Sequence, residues 1–249
     1  STTVTINGTV THAQNTAAAT NSLGAWVPNA RVNIVCDTLD IPVGGKIDVA
    51  AKGFLGGMAN TVAGKGPGGG THRVGGGHGG KGGRPDLTSS TGITYGAGGL
   101  AYDSYATPEQ PGSGGGGGDT TRAGGNGGGA VRIAADGAVT VNGSILAYGG
   151  PGIANHGAGG SGGSIFIACS TVSGAGVISA YGGVGQNNTG GGGGGGCIAI
   201  DYDPVAQGAL PLPGVEINAA GGNASYNPSR SGSVSQLGEP GTLAFPDNQ

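Results

Sequence analysis

Charged residues, aromatic rings and long apolar runs are all scarce in this sequence. Charged residues occupy 9% of the 249 positions and aromatic residues 4%. No apolar run reaches the roughly 18 residues that a membrane-spanning helix needs, so we expect no membrane span. Acidic residues outnumber basic ones, thirteen to ten, which argues against nucleic acid as a partner. Disordered chains combine low hydrophobicity with high net charge, whereas this chain has a net charge of −3 and 35% hydrophobic residues.

Cysteine is also scarce, which excludes a disulfide-rich scaffold. The three cysteines, Cys36, Cys169 and Cys197, cannot all pair within one chain. In the repeat described below, Cys36 and Cys169 share a column but lie about 9–10 Å apart, beyond the reach of a disulfide. We predict buried free thiols at these two positions. Cys197 is predicted to lie at a corner, where it is better suited to a bond between chains.

Signals for helix and for collagen are missing as well. No apolar pattern repeats every 3.6 residues, and each glycine inside a helix costs about 1 kcal/mol. The Gly-X-Y period of collagen is absent. Glycine, by contrast, supplies 63 of the 249 residues, far above its usual share of about 7%. Valine and isoleucine alternate beside the glycines, which argues against a low-complexity linker.

Three stretches of the chain align as one internal repeat. They read "VRIAADGAVTVNGSILAYGG" at 131–150, "IFIACSTVSGAGVISAYGG" at 165–183 and "IAIDYDPVAQGALPLPGVEINAAGG" at 198–222. Val131, Ile165 and Ile198 then fall in one column. Residues 32–53 match the same template, and "TVTINGTV" at 3–10 and "GTLAF" at 241–245 match parts of it.

Each repeat unit predicts two short strands and a glycine-rich return. Apolar residues alternate along the runs, as in Ile165 and Ile167, and this period of two is typical of half-buried strands. Repeated units of strands and returns indicate stacked parallel coils of the β-solenoid type. We predict one all-β domain with essentially no α-helix. It comprises amino-terminal rungs over 1–53, a glycine-rich coil over 54–129 and regular rungs over 130–249. The coil includes a surface excursion, which we place at 95–114.

The glycine runs carry a side chain at every third position. In "GGHGGKGGR" at 76–84, His78, Lys81 and Arg84 are each separated by two glycines. A period of three matches the extended left-handed helix of the polyproline II type, whose backbone groups point outwards. Close packing of such helices requires glycine. We therefore predict a bundle of polyglycine II helices beside the β-coils, with 190–196 innermost; without dense hydrogen bonding these runs would be disordered.

The pattern "GGSGGSIFIAC…GVISAYGGVG…GGGGGGGCIAIDY" resembles glycine-rich repeat segments of large secreted bacterial surface proteins of the adhesin-like kind. The stacked glycine runs also resemble the polyglycine II bundles of a phage tail-tip adhesin and of a springtail antifreeze protein. The resemblance covers roughly residues 1–53 and 120–245. It implies an architecture and an extracellular or cell-surface location, and it implies no catalytic residue. Ser1 in place of an initiator Met is typical of a mature product after signal cleavage.

Motifs for catalysis or cofactor binding are weak. His72, His78, Lys81 and Arg84 are predicted to form a solvated basic rim, with an anion or metal site as the alternative. Asp201 and Asp203 predict a plain turn more than a calcium site. Ser161 fits the G-x-S-x-G pattern through its glycines, without the helix that a nucleophile elbow needs. We therefore expect that this chain is not an enzyme and that it binds neither a cofactor nor a metal ion.

Two function classes remain open. The first is a secreted structural protein that assembles head to tail into a filament or surface layer, because both ends of the repeat present strand-like edges. A basic cluster over 65–84 and acidic residues in the last third would favour such contacts. The expected partners are other copies of the chain. The candidate assembly residues are Val4, Ile6, Val10, Leu243 and Phe245.

The second class is an adhesin or carbohydrate-binding module, whose partners would be glycans. Its candidate contact residues are Tyr95, Tyr102 and Tyr105, which cluster in the predicted excursion. Ice binding is a weaker third option, because a flat regular array of threonines is not evident from the sequence.

Overall fold

The computed structural model describes residues 2–58, 63–85, 96–118, 123–154, 156–186, 189–224 and 237–246. Within these ranges the chain forms fourteen short strands and one five-residue helix. All pairs between these strands are parallel. The prediction of an all-β chain with almost no helix is confirmed.

The strands form three parallel sheets, here called A, B and C. Sheet A contains, in order, β1 (Thr3–Thr5), β4 (Thr38–Ile41), β7 (Ala138–Val141) and β10 (Thr171–Ser173). Sheet B contains β2 (Thr9–Val10), β5 (Lys46–Asp48), β8 (Ser144–Leu146), β11 (Val177–Ser179) and β13 (Glu216–Asn218). Sheet C contains β3 (Val32–Cys36), β6 (Ala130–Ala135), β9 (Ser164–Ala168), β12 (Cys197–Asp201) and β14 (Thr242–Ala244). A single pass of the chain, such as β6 to β8, adds one strand to each sheet.

The register confirms the columns that the repeat predicts. In sheet C, Val131 is aligned with Ile165, and Ile165 with Ile198. The partial copies also fall into place, since Val4 aligns with Leu39 and Leu243 aligns with Ile198. Side chains with a period of two therefore stack in columns along each sheet.

The prediction of two strands per unit is wrong, because the second run contains a turn. Asn142 and Gly143 both donate their backbone N–H groups to the carbonyl of Ile41 in the neighbouring pass, at 2.9 and 2.8 Å. This turn separates β7 from β8 and redirects the chain from sheet A to sheet B. Each complete pass therefore has three strands, one in each sheet.

The inward columns of all three sheets meet in one hydrophobic core. Ile41, Ile133, Ile145 and Ile167 are fully buried there, and they come from all three sheets. Burial of one such side chain contributes about 1.5–3 kcal/mol. The strands are only two to six residues long, so the core depends on many passes stacked together.

The glycine segments pack beside the sheets and are held by backbone hydrogen bonds to one another. The run 190–196 is entirely buried. Its nearest neighbours change with a period of three: positions 190, 193 and 196 face segment 157–163, 191 and 194 face 80–83, and 192 and 195 face 219–222. A Cβ on any of these seven glycines would lie less than 3.0 Å from neighbouring backbone. The glycines therefore permit close backbone contact on every side.

Helix α1 (Pro204–Gly208) lies beside β10. Asp203 caps it by accepting hydrogen bonds from the N–H groups of Val205 and Ala206 at 2.9 and 3.3 Å, and Pro204 occupies the start. Such a cap and a proline at the first turn favour a helix start. Asp203 is thus a helix cap, and the predicted plain turn at Asp201 and Asp203 is wrong. After α1, the chain returns to sheet B as β13, which pairs with β11.

Candidate functional site

The amino-terminal end of the core presents β1, β2 and β3 as edge strands. The candidate assembly residues of this end point into the core: Ile6 is buried, and Val4 and Val10 are half-buried against it. Gly8, directly before β2, accepts from Lys46 N–H, so its backbone groups face β5. By alternation along the strand, the backbone groups of Thr9 face away from the sheet.

The carboxyl-terminal end presents β13 and β14 as edge strands. Glu216 N–H donates to Gly176 O and Thr242 N–H donates to Gly196 O, both towards the sheet. By alternation, the backbone groups of Ile217 and Leu243 face outwards. Leu243 is 48% exposed, and Phe245 is half-buried against the core. The structure therefore places the five candidate assembly residues at two opposite ends of the strand stack.

A groove of about 410 Å³ lies where β12 and β14 meet the segment that crosses sheet C. This segment, residues 100–110, is here called the strap. Tyr105 on the strap is 68% exposed and lines the groove together with Thr107, Asp201 and Phe245. An aromatic face, a carboxylate and a hydroxyl around a concave surface match the mixed lining of ligand pockets.

The other two candidate tyrosines differ from Tyr105. Tyr102 is bound internally: its hydroxyl donates to Pro111 O at 2.5 Å and accepts from Ser113 Oγ at 2.9 Å. Burial raises the pKa of the Tyr102 phenol well above its ordinary value, and the hydrogen bond from Ser113 opposes this only in part. Tyr102 is therefore a structural anchor. Tyr95 lies outside the described residues.

The predicted excursion is shorter than expected. Residues 111–118 are all buried among the glycine segments, and exposed positions concentrate in the strap. The strap is fixed to sheet C by Glu109, whose carboxylate lies 3.4 Å from Arg132 and 3.9 Å from Arg31. Sequence patterns placed the excursion by its prolines and tyrosines, and these features do not distinguish a buried glycine run from an exposed loop.

Asp103 holds the strap in place from within. One carboxylate oxygen accepts from the backbone N–H groups of Glu109 and Gln110 at 3.0 and 2.8 Å, and also from Ser164 Oγ at 3.1 Å. His78 Nε2 lies 3.2 Å from the same oxygen. Burial raises the pKa of Asp103, but the hydrogen bonds and the nearby imidazole outweigh it and lower the pKa below its ordinary value. Sequence reasoning missed Asp103.

Ser164, His78 and Asp103 meet, but their geometry differs from that of a nucleophilic triad. A triad uses the two nitrogens of the imidazole for two different partners. Here Ser164 and Asp103 both approach Nε2 of His78, at 3.5 and 3.2 Å. His78 Nδ1 has no partner among the described residues. Ser161, which matches the G-x-S-x-G pattern, is fully buried and bonded to Ser113. These contacts tie segments together.

The prediction of a solvated basic rim is wrong for His78, which is fully buried. Lys81 is exposed and Arg84 half-buried. Within the chain, Lys81 of the predicted basic cluster lies beside Glu239 of the acidic last third. Glu239 N–H donates to Lys81 O at 2.8 Å, and Lys81 N–H donates to the Glu239 carboxylate at 3.3 Å.

All three cysteines are free thiols, as predicted for Cys36 and Cys169. Cys36 is buried and Cys169 half-buried. Cys197 begins β12 directly after the run 190–196, but only 1% of this residue is exposed, so its predicted suitability for a bond between chains is wrong. Burial raises the pKa of Cys197 to about 11 and, with the charge of Asp201, that of Cys169 to about 12. The thiolate is the reactive form, so neither thiol is suited to a bond between chains.

The outer face of sheet A carries two rows of mostly hydroxyl side chains, which the sequence did not make evident. The rows are Thr3, Thr38, Ala138 and Thr171, and Thr5, Asp40, Thr140 and Ser173. Neighbouring hydroxyls bond to each other, as in Thr38 to Thr3 at 2.9 Å. The charge of Asp40 interrupts the array near its centre.

The described residues hold neither a grouped set of metal ligands nor a helix that could cross a membrane. Across the parts of the chain that the structure describes, no three His, Cys, Asp or Glu side chains are grouped closely enough to hold a metal ion. In the same residues, no helix is long and apolar enough to cross a membrane.

Comparison with known proteins gives no relative. No family model matches the chain, and no curated protein or solved structure is significantly similar to it.

Proposed function

We propose that this chain is a non-enzymatic structural protein that assembles head to tail into an extracellular filament or surface layer. The observation that carries this proposal is that, among the described residues, sheets B and C end in unpaired strands at both ends of the strand stack: β2 and β13 in sheet B, and β3 and β14 in sheet C. Open edges are templates for pairing with another chain. A contact between two different surfaces of identical chains continues indefinitely unless its rotation closes a ring.

In this proposal the three sheets are the sides of a β-solenoid, and the glycine segments are a polyglycine II bundle. The three-residue period of neighbours around 190–196 supports the second assignment. The resemblance to glycine-rich segments of secreted bacterial surface proteins supports an extracellular location. Such stacks grow by adding equivalent passes, and a second copy would add the next pass.

The backbone alternation of the two ends is compatible with continuous pairing. In sheet B the column that runs through Val10 reaches Ile217 four strands later. A second copy stacked in register would set its Val10 beside Ile217, with the outward groups of its Thr9 facing those of Ile217. In sheet C the same operation sets Val32 of the second copy beside Leu243.

The test is electron microscopy and sedimentation of the purified chain over a concentration series. We expect fibres of one-chain width that lengthen with concentration. Leu243→Pro removes the outward N–H of β14 and leaves the bonds of Thr242 and Ala244 to β12, because proline is tolerated on a free edge. This variant should stop elongation. Leu243→Ala keeps the N–H and is the matched control, which should still assemble. Discrete particles of the unmodified chain at every concentration would reject the proposal.

A second candidate function is glycan binding at the Tyr105 groove, and the groove itself favours it. The exposed ring of Tyr105 offers a stacking surface, and Asp201 offers a hydrogen-bond acceptor. Glycan-array binding should then be lost in Tyr105→Ala and kept in Tyr148→Ala, whose tyrosine lies away from the groove. Equal signals from the two variants, or none from the unmodified chain, would reject this candidate.

A further inference from the structure

The edge of sheet A at the carboxyl-terminal end differs from the edges of sheets B and C. Val172 is the residue of β10 whose backbone groups face away from β7. Its N–H donates to Gln207 Oε1 at 2.7 Å, and its carbonyl accepts from Gln207 Nε2 at 3.1 Å. The side-chain amide of Gln207 therefore makes the two bonds that a neighbouring strand would make.

Residues on both sides of Gln207 complete this closure. Asp203 N–H donates to Ser170 O at 3.1 Å, and Gly214 N–H donates to Gly174 O at 2.8 Å. The carbonyls that flank β10 on its open side are thus satisfied as well. Asp203 caps helix α1 with its side chain and is bonded to Ser170 through its backbone N–H, so Gln207 is presented by an element attached to the β10 edge.

We infer that Gln207 is a β-edge cap that determines where a second copy can dock. It closes sheet A, and it leaves β13 and β14 as the two edges open to strand pairing. This inference rests on the proposed head-to-tail assembly for its functional meaning, whereas the capping itself is a property of the single chain. Natural proteins commonly block edges that would otherwise pair wrongly. Closing one sheet of three removes pairings that engage sheet A alone or in a shifted register.

The first experiment measures amide hydrogen exchange of Val172 in a dilute, unassembled sample. Gln207→Leu has a similar shape and removes both hydrogen bonds. We expect exchange of the Val172 amide to become at least about fivefold faster, the factor for one typical net hydrogen bond. Val205→Ala is the matched control on the same helix, because the Val205 side chain is 86% exposed. Its Val172 exchange should equal that of the unmodified chain. Equal exchange in Gln207→Leu would overturn the capping role.

The second experiment measures association of the same variants by light scattering against concentration. Gln207→Leu should associate at about fivefold lower concentration and should give less regular particles by microscopy, because the β10 edge becomes available. Gln207→Glu retains an acceptor for Val172 N–H and adds a charge at the edge, so it should not associate more readily. Assembly of Gln207→Leu that is indistinguishable from the unmodified chain would overturn the docking role.

The two proposals fail in different ways. If the unmodified chain never assembles and Gln207→Leu also stays dispersed, head-to-tail assembly is rejected, and the exchange measurement alone decides whether Gln207 caps β10. If the unmodified chain forms fibres and Gln207→Leu forms the same fibres at the same concentration, assembly stands and the selective role of Gln207 is rejected.

Discussion

At the residue scale, the main contribution of glycine here is the absence of a side chain, which lets neighbouring backbone approach closely. In the run 190–196, backbone from three other segments occupies the positions where side chains would stand. Ordering a glycine costs more conformational entropy than ordering other residues. Dense backbone hydrogen bonding offsets that cost, as in the bonds from Gly193 N–H to Gly183 O and from Gly222 N–H to Gly193 O at 2.9 and 2.7 Å.

Gly193→Ala should therefore destabilise the chain strongly. Its new methyl group would meet the backbone of Gly160, which has no flexible side chain that can move away. Overpacking of this kind costs about 1–3 kcal/mol. Gly8→Ala is the matched control, because no atom lies within 4 Å of a Cβ at that position, and its effect should stay within about 0.5 kcal/mol. Urea denaturation measures both; equal midpoints for the two variants would contradict close packing at Gly193.

The carboxylate of Asp103 should make the strap sensitive to acid. Its pKa is lowered in the folded chain, so its stabilisation is complete above the ordinary pKa of 3.8 and is lost as the pH falls through the lower folded value. Exchange of the Glu109 and Gln110 amides, corrected for the intrinsic pH dependence, should rise over that window. Asp103→Asn should show fast exchange already at neutral pH and little further change in acid. A pH profile identical in the variant would assign the effect to another group.

At the scale of elements, the sequence predicts the repeated apolar columns, but it misses the turn within each pass and the features that occur once. The columns through Val131, Ile165 and Ile198 are visible because burial imposes the same apolar residue at the same place in each pass. The turn that divides the second run into two strands is made by Asn142 and Gly143. It leaves the apolar period of two unchanged, so the pattern does not reveal it. For this reason two strands per unit were expected where three exist.

Single features need contacts that are distant in sequence. Gln207 caps a strand 35 residues away, and Asp103 bonds Ser164 across 61 residues. Neither residue type signals such a role by itself, because glutamine and aspartate are common on exposed surfaces. The D-Y-D pattern at 201–203 correctly indicated the end of a strand, but it did not reveal that Asp203 caps a helix. The groove at Tyr105 likewise depends on the strap crossing sheet C.

Neighbouring passes are also joined by a stacked aromatic pair. The rings of Tyr148 and Tyr181 lie 4.7 Å apart with 7° between their planes. A double-mutant cycle with Tyr148→Ala and Tyr181→Ala should give a coupling of about 0.5–1.5 kcal/mol, the range of aromatic pairs. Tyr105→Ala, which removes an exposed ring, should change stability by less than about 0.5 kcal/mol. Additive effects in the cycle would show that the stacking contributes nothing beyond burial of each ring.

At the scale of the whole molecule, the sheets and the glycine segments depend on each other. Segment 157–163 leads directly into β9 and segment 190–196 into β12, so the spacing of the glycine runs sets the spacing of the strands. Adjacent strands lie about 4.8 Å apart, so the glycine segments that lead into them must stack with the same spacing. Only glycine allows that match, which explains why the richest runs immediately precede strands of sheet C.

The assembly register can be tested by a disulfide between copies. Thr9 and Glu216 share a column of sheet B, four strand spacings or about 19 Å apart within one chain. Stacked copies would bring Thr9 of one to about 4.8 Å from Glu216 of the next, within disulfide reach. With the native cysteines replaced by alanine, Thr9→Cys combined with Glu216→Cys should give a ladder of cross-linked chains under oxidation. Thr9→Cys with Asn218→Cys, displaced by two residues, is the control. Equal ladders from both pairs, or a ladder from the control alone, would show that the copies do not meet in this register.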